Sequence, residues 1–425
     1  MQSVVQIPDP GKGNNGGQQA VLKHPETEGI DATVALIQAL IPLGLQAAGE
    51  ALQAEVSRLA GPRHCRRGRQ PGYVRWSRER GSVYLGDQKL PITYTRVRDR
   101  RRNREVPLAT YQRLQRPRQA DAGLFRKILL GLSCRNYRAA AEAVPEAFGL
   151  SPSTVSRRFI RASAKQLQAL QERRLEGYDF VALVLDGKTC AEDAMVIALG
   201  ITVQGEKVLL GFVQTATENE RVCAAFLREL VARGLRTEQG VLCIIDGVKG
   251  LRKAIQSVFG SHAVIHRCQW HKRENVVAHL PKSPHATWRR KLQAAYEHPS
   301  YPAAKAALGR CRQVLRILNE SAVRSLEEGL EDTLTLHRLG VFPTLGVSLT
   351  TTNCLESILA LVARRTTKVT TWRTSDQKQR WLAPALLDIE PRLRRIKGYR
   401  ALPLLRAALQ AHTRGKEARA EVEVA

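Results

Sequence analysis

Two aspartates stand where apolar runs stop. Phe180-Val-Ala-Leu-Val-Leu185 leads into Asp186-Gly187, and Val241-Leu-Cys-Ile-Ile245 leads into Asp246-Gly247. Carboxylates in such places are hard oxygen donors, the kind that hold Mg²⁺ or Mn²⁺. Two such ions about 3.5–4 Å apart stabilise the attacking and leaving oxygens of a phosphodiester together. Taken singly, each Asp-Gly is more readily a turn after a strand. A third carboxylate, Glu356, lies in Thr350-Thr-Thr-Asn-Cys-Leu-Glu-Ser357, where Thr352 or Asn353 can cap a helix with Glu356 in its first turn. On spacing alone, a capping-box glutamate and a third metal ligand both stay open.

The elements that must position these groups follow from the apolar pattern. A buried strand over 180–185 is followed by strands at Met195–Val203 and Lys207–Val213, with Gln204-Gly205-Glu206 as the hairpin turn. A helix over Glu220–Ala232, a strand at Val241–Ile245, a helix over Gly250–Val258 and a strand at Ala263–Arg267 complete the run. The order β-β-β-α-β-α-β resembles the ribonuclease H-like α/β fold, in which the first and fourth strands lie side by side. In that arrangement two aspartates ending adjacent strands share one pair of metals, and the turn reading becomes the weaker one. After residue 271 the chain reads as helical for about eighty residues, with Trp288, Leu292, Tyr296, Leu315, Leu318 and Leu326 at helical spacing.

The segments Leu185-Asp-Gly, Ile245-Asp-Gly, Arg267-Cys-Gln-Trp-His-Lys and Thr351-Thr-Asn-Cys-Leu-Glu resemble the signature blocks of mutator-type insertion-sequence transposases, over roughly residues 55–410. The resemblance implies a DDE transposase whose triad is Asp186, Asp246 and Glu356. It implies two divalent ions, Mg²⁺ or Mn²⁺, held by those residues, and an all-helical insertion at about 281–345. Cys268 and His271 match the family's CxxH element, with Trp270 between them; these three are expected to support the active-site floor. His262 and His266 nearby invite a zinc reading, but the spacing fits no standard finger. One departure is Ala363, seven positions after Glu356, where the family often has a basic residue; Arg364 and Arg365 follow and are the candidate replacements for a phosphate contact.

The 425-residue chain carries 67 Lys and Arg against 39 Asp and Glu, a formal charge of +28, so a polyanion such as DNA is the expected partner. Residues 61–120 hold 17 Lys and Arg against 4 Asp and Glu, mostly arginine, which favours forked phosphate contacts. Residues 72–98 read as short twisted strands whose aromatics face either a core or nucleic acid. Near 137–162, Gly149 suits a helix end and Ser151-Pro152 a helix start, with Ser153, Thr154, Ser156, Arg157 and Arg158 opening the second helix. That is how a helix-turn-helix enters the major groove. Trp372, Arg373 and Lys378 extend the basic face.

The expected organisation is a flexible leader at 1–30, an amphipathic helix at 31–60 and a basic DNA-binding region at 61–175. An α/β catalytic core at 177–280 and 346–400 is interrupted by the helical insertion, and a helix with a charged tail closes the chain at 401–425. Eight cysteines without a CxxC read as buried thiols in a reducing compartment, and with no signal peptide evident the protein is expected in the cytoplasm. The resemblance implies binding of terminal inverted repeats, strand cleavage and transfer, and a homodimer or higher oligomer at synapsis. A catalytically silent DNA-binding regulator and a ribonuclease H-like nuclease on RNA or junctions are the rival readings.

Overall fold

A computed structural model describes residues 25–64, 72–85, 88–116, 118–140, 148–190, 193–215 and 219–424. The chain divides into two compact units, Met1–Ala120 with Ala143–Gly149, and Asp121–Glu142 with Leu150–Ala425. The basic stretch 61–175 is therefore shared between both units.

The smaller unit is built on helix α1 (Pro25–Ala60) and the antiparallel strands β1 (Tyr73–Leu85), β2 (Gln88–Asp99) and β3 (Arg104–Val106). β1 and β2 are long rather than short, with a bulge between Arg75 and Arg78. Leu52 and Val56 of α1 bury against Val97 and Leu108, with Tyr73, Tyr94 and Tyr111 at the edge of this core. Helix α2 (Ala109–Leu114) has no side-chain cap of its own. Glu55 reaches from α1 to accept from the Ala109 and Thr110 amides at 2.8 and 2.9 Å, so a buried carboxylate satisfies the orphan donors of that helix end. Trp76 turns outward, half exposed, with the Arg98 guanidinium 4.7 Å above its ring.

In the larger unit, α3 (Arg118–Leu129) and α4 (Tyr137–Ala140) precede α5 (Pro152–Gln171). Ser151 caps α5 by accepting from the Thr154 amide at 3.3 Å, and Pro152 takes the first turn, as the sequence indicates. The first helix of the expected helix-turn-helix falls largely on 141–147, outside the described residues. Phe159 of α5 packs on Phe125 of α3 and on Trp381.

The five-stranded sheet has the order β6-β5-β4-β7-β8. β4 (Phe180–Cys190), β5 (Asp193–Thr202) and β6 (Lys207–Thr215) are antiparallel; β7 (Val241–Ile245) and β8 (Ala263–Arg267) add in parallel beside β4. Gly205 has φ +83°, the left-handed conformation the β5–β6 turn requires. The crossovers are α6 (Glu220–Ala232) and α7 (Lys249–Phe259), which cover one face through Leu227, Leu230, Leu251 and Ile255. Every residue of β7 and β8 is buried, and each fully buried Leu or Ile contributes about 1.5–3 kcal/mol relative to exposure.

After β8 the chain runs through α8 (Gln269–Ala278), α9 (His285–Tyr296), α10 (Tyr301–Leu318), α11 (Glu320–Glu327), α12 (Leu330–Thr333) and α13 (Thr335–Arg338). These helices enclose a core of their own around Trp288, Leu292, Tyr296, Leu315 and Leu326. Leu318, expected in that stripe, is 55% exposed at the end of α10. The second face of the sheet is covered by α14 (Phe342–Leu349), α15 (Asn353–Thr366), α16 (Ser375–Ile389) and α17 (Leu402–Val424). The stretch Phe342–Thr366 is apolar enough in composition to cross a membrane. It is broken between α14 and α15, and its Leu345, Leu349, Leu355, Ile358 and Val362 are buried in the core of this unit.

Candidate functional site

The register places the two aspartates. Leu185 pairs with Ile245 across the parallel β4–β7 ladder, so Asp186 and Asp246 follow as neighbours where that ladder ends. β4 itself does not end at Asp186, as its apolar run indicates; it continues to Cys190 against β5, with Asp186 opposite Ile197. The reason is one-sided pairing: β7 stops at Ile245, whereas β5 runs on. Asp246 opens a turn in which its Oδ1 accepts from the Val248 amide at 3.1 Å, with Gly247 at φ +108°. The third parallel strand brings Arg267 beside Ile245, and the Cys268 amide donates to the Ile245 carbonyl at 2.7 Å.

Glu356 enters from the opposite side of this strand end, in the first turn of α15. It stands four residues after Thr352, the N-cap, and the Thr352 hydroxyl makes no capping bond to the helix amides. The capping-box reading is thereby excluded, because neither limb of the box forms. The Thr352 hydroxyl, fully buried, instead lies 3.2 Å from Glu356 Oε1 and 3.8 Å from Cys268 Sγ, and is near enough to Asp186 to lower its carboxyl slightly. Thr352 is a site residue that spacing alone presented only as a cap; its place directly before Asn353 in a run of three threonines gave no further signal.

The electrostatics tie these groups together. Asp186 is 5% exposed, and its carboxyl is pushed up to about 6 by burial first and the neighbouring Asp246 charge second, with Glu356 adding to the effect and His271 opposing it. His271 rises to about 9, chiefly through the neighbouring Cys268 and further through Asp186 and Asp246. Burial alone would raise the Cys268 thiol, yet its hydrogen bonds with His271 bring it below the ordinary value. His271 Nε2 lies 3.8 Å from Glu356 Oε1, and Trp270, 39% exposed, stands edge-on to the His271 ring at 4.8 Å. His266, fully buried, faces the Thr350 carbonyl at 3.3 Å, and burial drives its imidazole down to about 3.

Among the described residues, no group of three or more His, Cys, Asp and Glu stands close enough together to hold a metal ion as the side chains lie. What the strand end offers is hard-oxygen carboxylates, with Asp186 raised by its burial and then by the Asp246 and Glu356 charges. Chemically, that donor set fits divalent cations.

The expected basic contacts separate into two groups. Ser153 and Arg157 are exposed, Thr154 and Ser156 half-buried, and Arg364 is exposed on α15. Arg158 is 6% exposed, on the same stripe of α5 as Val155 and Phe159, and does not face solvent. Arg365 is engaged by Asp388 at 3.0 Å, and Lys378 is 8% exposed within α16. Helical spacing puts each of these three on a packed face.

Comparison with known proteins gives the family. The sequence profile described as "Transposase, Mutator family" matches residues 86–390, which takes in both aspartates, the helical segment and Glu356. The chain belongs to the Mutator family of transposases. Similar relatives include the transposase for insertion sequence element IS6120 of Mycolicibacterium smegmatis, 29% identical over 297 residues, 67% of this chain and 88% of that protein. The transposase for IS905 of Lactococcus lactis is 27% identical over 246 residues, 56% of this chain and 61% of that protein. The transposase for IST2 of Acidithiobacillus ferrooxidans is 30% identical over 233 residues, 52% of this chain and 76% of that protein.

Proposed function

We propose that this transposase binds the ends of its own insertion sequence and catalyses metal-dependent DNA strand cleavage and strand transfer. Asp186, Asp246 and Glu356 act as the catalytic triad of a ribonuclease H-like core. The observation that carries the reading is Asp186 and Asp246 side by side at the end of the β4–β7 ladder, with Glu356 near enough to add to the rise that burial and Asp246 impose on Asp186. Family membership and the strand order β6-β5-β4-β7-β8 support it.

Divalent cations bound there, Mg²⁺ or Mn²⁺, would lower the barrier by neutralising charge on the attacking and leaving oxygens. Asp186 and Asp246 would hold them from adjacent strands. Glu356, steadied by the Thr352 hydroxyl, would complete the set and orient the nucleophile. His271, raised by Cys268 first and by the two aspartates further, supports the floor of the site. In the first step water attacks a phosphodiester at the element end; the new P–O bond replaces the one to the 3′ oxygen, which leaves as a 3′-OH. That hydroxyl then attacks a target phosphodiester, joining the strands and releasing the target's own 3′-OH. No covalent protein–DNA intermediate forms.

DNA contacts fall to the basic strands of the smaller unit, with Trp76 and Arg98 outward, and to Arg157 and Arg364 in the larger one. The test is a labelled duplex carrying an element end, with unlabelled target DNA and Mg²⁺. Nicks exposing a 3′-OH at the element boundary, and joined products, are expected. End binding without either product would favour a silent DNA-binding regulator. Cleavage without joining, indifferent to end sequence, would favour a nuclease.

A further inference from the structure

Arg267 closes β8 one residue before Cys268 and, although charged, is 7% exposed. Its guanidinium lies between two glycines that are distant in sequence. A Cβ on Gly247 would stand 2.2 Å from Arg267 Nε, and a Cβ on Gly329 2.9 Å from Nη1. Both glycines have left-handed backbones, φ +108° and +66°, so each presents a bare α-carbon to the arginine. Nη1 donates to the Glu328 carbonyl at 2.6 Å, and Nη2 lies 3.6 Å from the Glu328 carboxylate. Nε is buried and unpaired where it abuts Gly247.

The same corner of the helical segment is fastened from several directions. Lys272, fully buried on α8, donates to the Ser325 and Glu328 carbonyls at the end of α11. Lys249 lies 3.5 Å from the Glu328 carboxylate, and Arg252 pairs with Asp332. Lys249 and Arg252 belong to α7, the helix that leaves the Asp246 turn. Four basic side chains therefore hold residues 325–332 against the chain that flanks Asp246. Of these, only Arg267 touches the turn itself, at Gly247, between Asp246 and the Val248 amide that its carboxylate accepts from.

We propose that Arg267 is a positioning residue for Asp246: wedged between Gly247 and Gly329, it makes the aim of that carboxylate depend on how the helical insertion is seated. The proposal rests on the reading of Asp246 as catalytic. A purely structural ion pair would lower the melting temperature without loosening the turn. A positioning wedge also sets the turn's mobility and the rate of chemistry on bound DNA.

The experiment uses the full-length protein as Arg267→Ala, Gly329→Ala and the double variant. It reads amide hydrogen exchange at residues 246–249, affinity for element-end DNA and cleavage rate with Mg²⁺. Arg267→Ala is expected to speed exchange at Val248 tenfold or more and slow cleavage tenfold or more, with end binding within twofold. Gly329→Ala should shift both in the same direction by displacing Arg267, and should add nothing further in the Arg267→Ala background. Unchanged exchange at Val248 in both single variants would overturn the proposal. So would effects that multiply in the double variant. If Arg267→Ala does not fold, Gly329→Ala alone carries the exchange test. Asp246→Asn, run alongside, separates the two ideas: full cleavage in that variant would remove the catalytic reading, while the exchange data still decide whether Arg267 holds the turn.

Discussion

Replacing Asp246 with asparagine is expected to stabilise the metal-free protein while removing its response to magnesium. Asp186 moves from 3.8 to about 6. At 1.36 kcal/mol per unit this is about 3 kcal/mol of differential interaction. The folded chain holds the Asp186 proton more tightly than the unfolded chain, so the ionised carboxylate costs stability. That cost is absent below about pH 4, grows up to about pH 6 and is complete above it. Burial is the largest cause and Asp246 the next, so removing the Asp246 charge should return roughly 1 kcal/mol at pH 7.5, net of the smaller attraction between Asp246 and His271 that is lost with it. Asparagine keeps an Oδ1 to accept from the Val248 amide, so the turn survives the change. A gain of that size corresponds to a rise of about 2 °C in melting temperature. In wild type, a divalent ion at ten times its dissociation constant should add about 1.4 kcal/mol, and in the variant nothing. Thermal unfolding by fluorescence at pH 7.5, in EDTA and in Mg²⁺, reads both numbers. A variant that melts lower than wild type in EDTA, or keeps the Mg²⁺ shift, would refute the reasoning.

Other outcomes follow from the same geometry. Glu356→Gln should lower the Asp186 value by less than Asp246→Asn does, because Glu356 is the weaker of the two like charges; carboxyl NMR titration of the metal-free protein checks the order. Cys268→Ala should bring His271 down from about 9 toward its ordinary 6.5, since the thiol is the largest cause of the rise. The stability that His271 contributes below pH 6.5, and loses as pH climbs through about 9, should then shrink; imidazole titration and melting curves at pH 6 and 9.5 would show it. Gly247→Ala should cost about 1–3 kcal/mol through its positive φ, and more through its collision with Arg267, seen as a lower melting temperature. Trp76→Ala should weaken end binding about 3- to 10-fold with little change in melting, because Trp76 is half exposed and stacked under Arg98; fluorescence anisotropy reads the loss, and unchanged affinity would move the DNA contact elsewhere.

The parts of the fold legible in the sequence are those whose burial pattern is unambiguous. Val241–Ile245 and Ala263–Arg267 are apolar on both faces and bounded by breakers, and their limits agree with the structure to the residue. Helix Glu220–Ala232 is likewise as the spacing indicates. β4 was harder to bound, because its run breaks at Asp186-Gly187 while its partner β5 continues; strand length was set by a neighbour. Arg158, Lys272 and Lys378 show a signal that charge masked. Each stands three or four residues from buried apolar positions, Val155, Val276 and Leu382, and so on a packed stripe. Which helix covers a stripe cannot be read locally, which is why Phe159 meets Trp381, more than two hundred residues away. Two of the three carboxylates were accessible from strand ends, but Glu356 needed the family resemblance. Its relation to Asp186 passes through Thr352 and the packing of α15, and no spacing encodes that. Arg267 was invisible for the same reason, since its two glycine neighbours are brought together only by the insertion.

The most direct measurement is strand cleavage and joining on labelled element-end DNA in Mg²⁺, comparing wild type with Asp186→Asn, Asp246→Asn and Glu356→Gln. Each variant is first shown to fold and to bind the ends as wild type does. Loss of both products in all three, by a factor of about 10³ or more, is the expected result. Wild-type rates in any one of them would take that carboxylate out of the catalytic set, and with it the site proposed at the β4–β7 strand end.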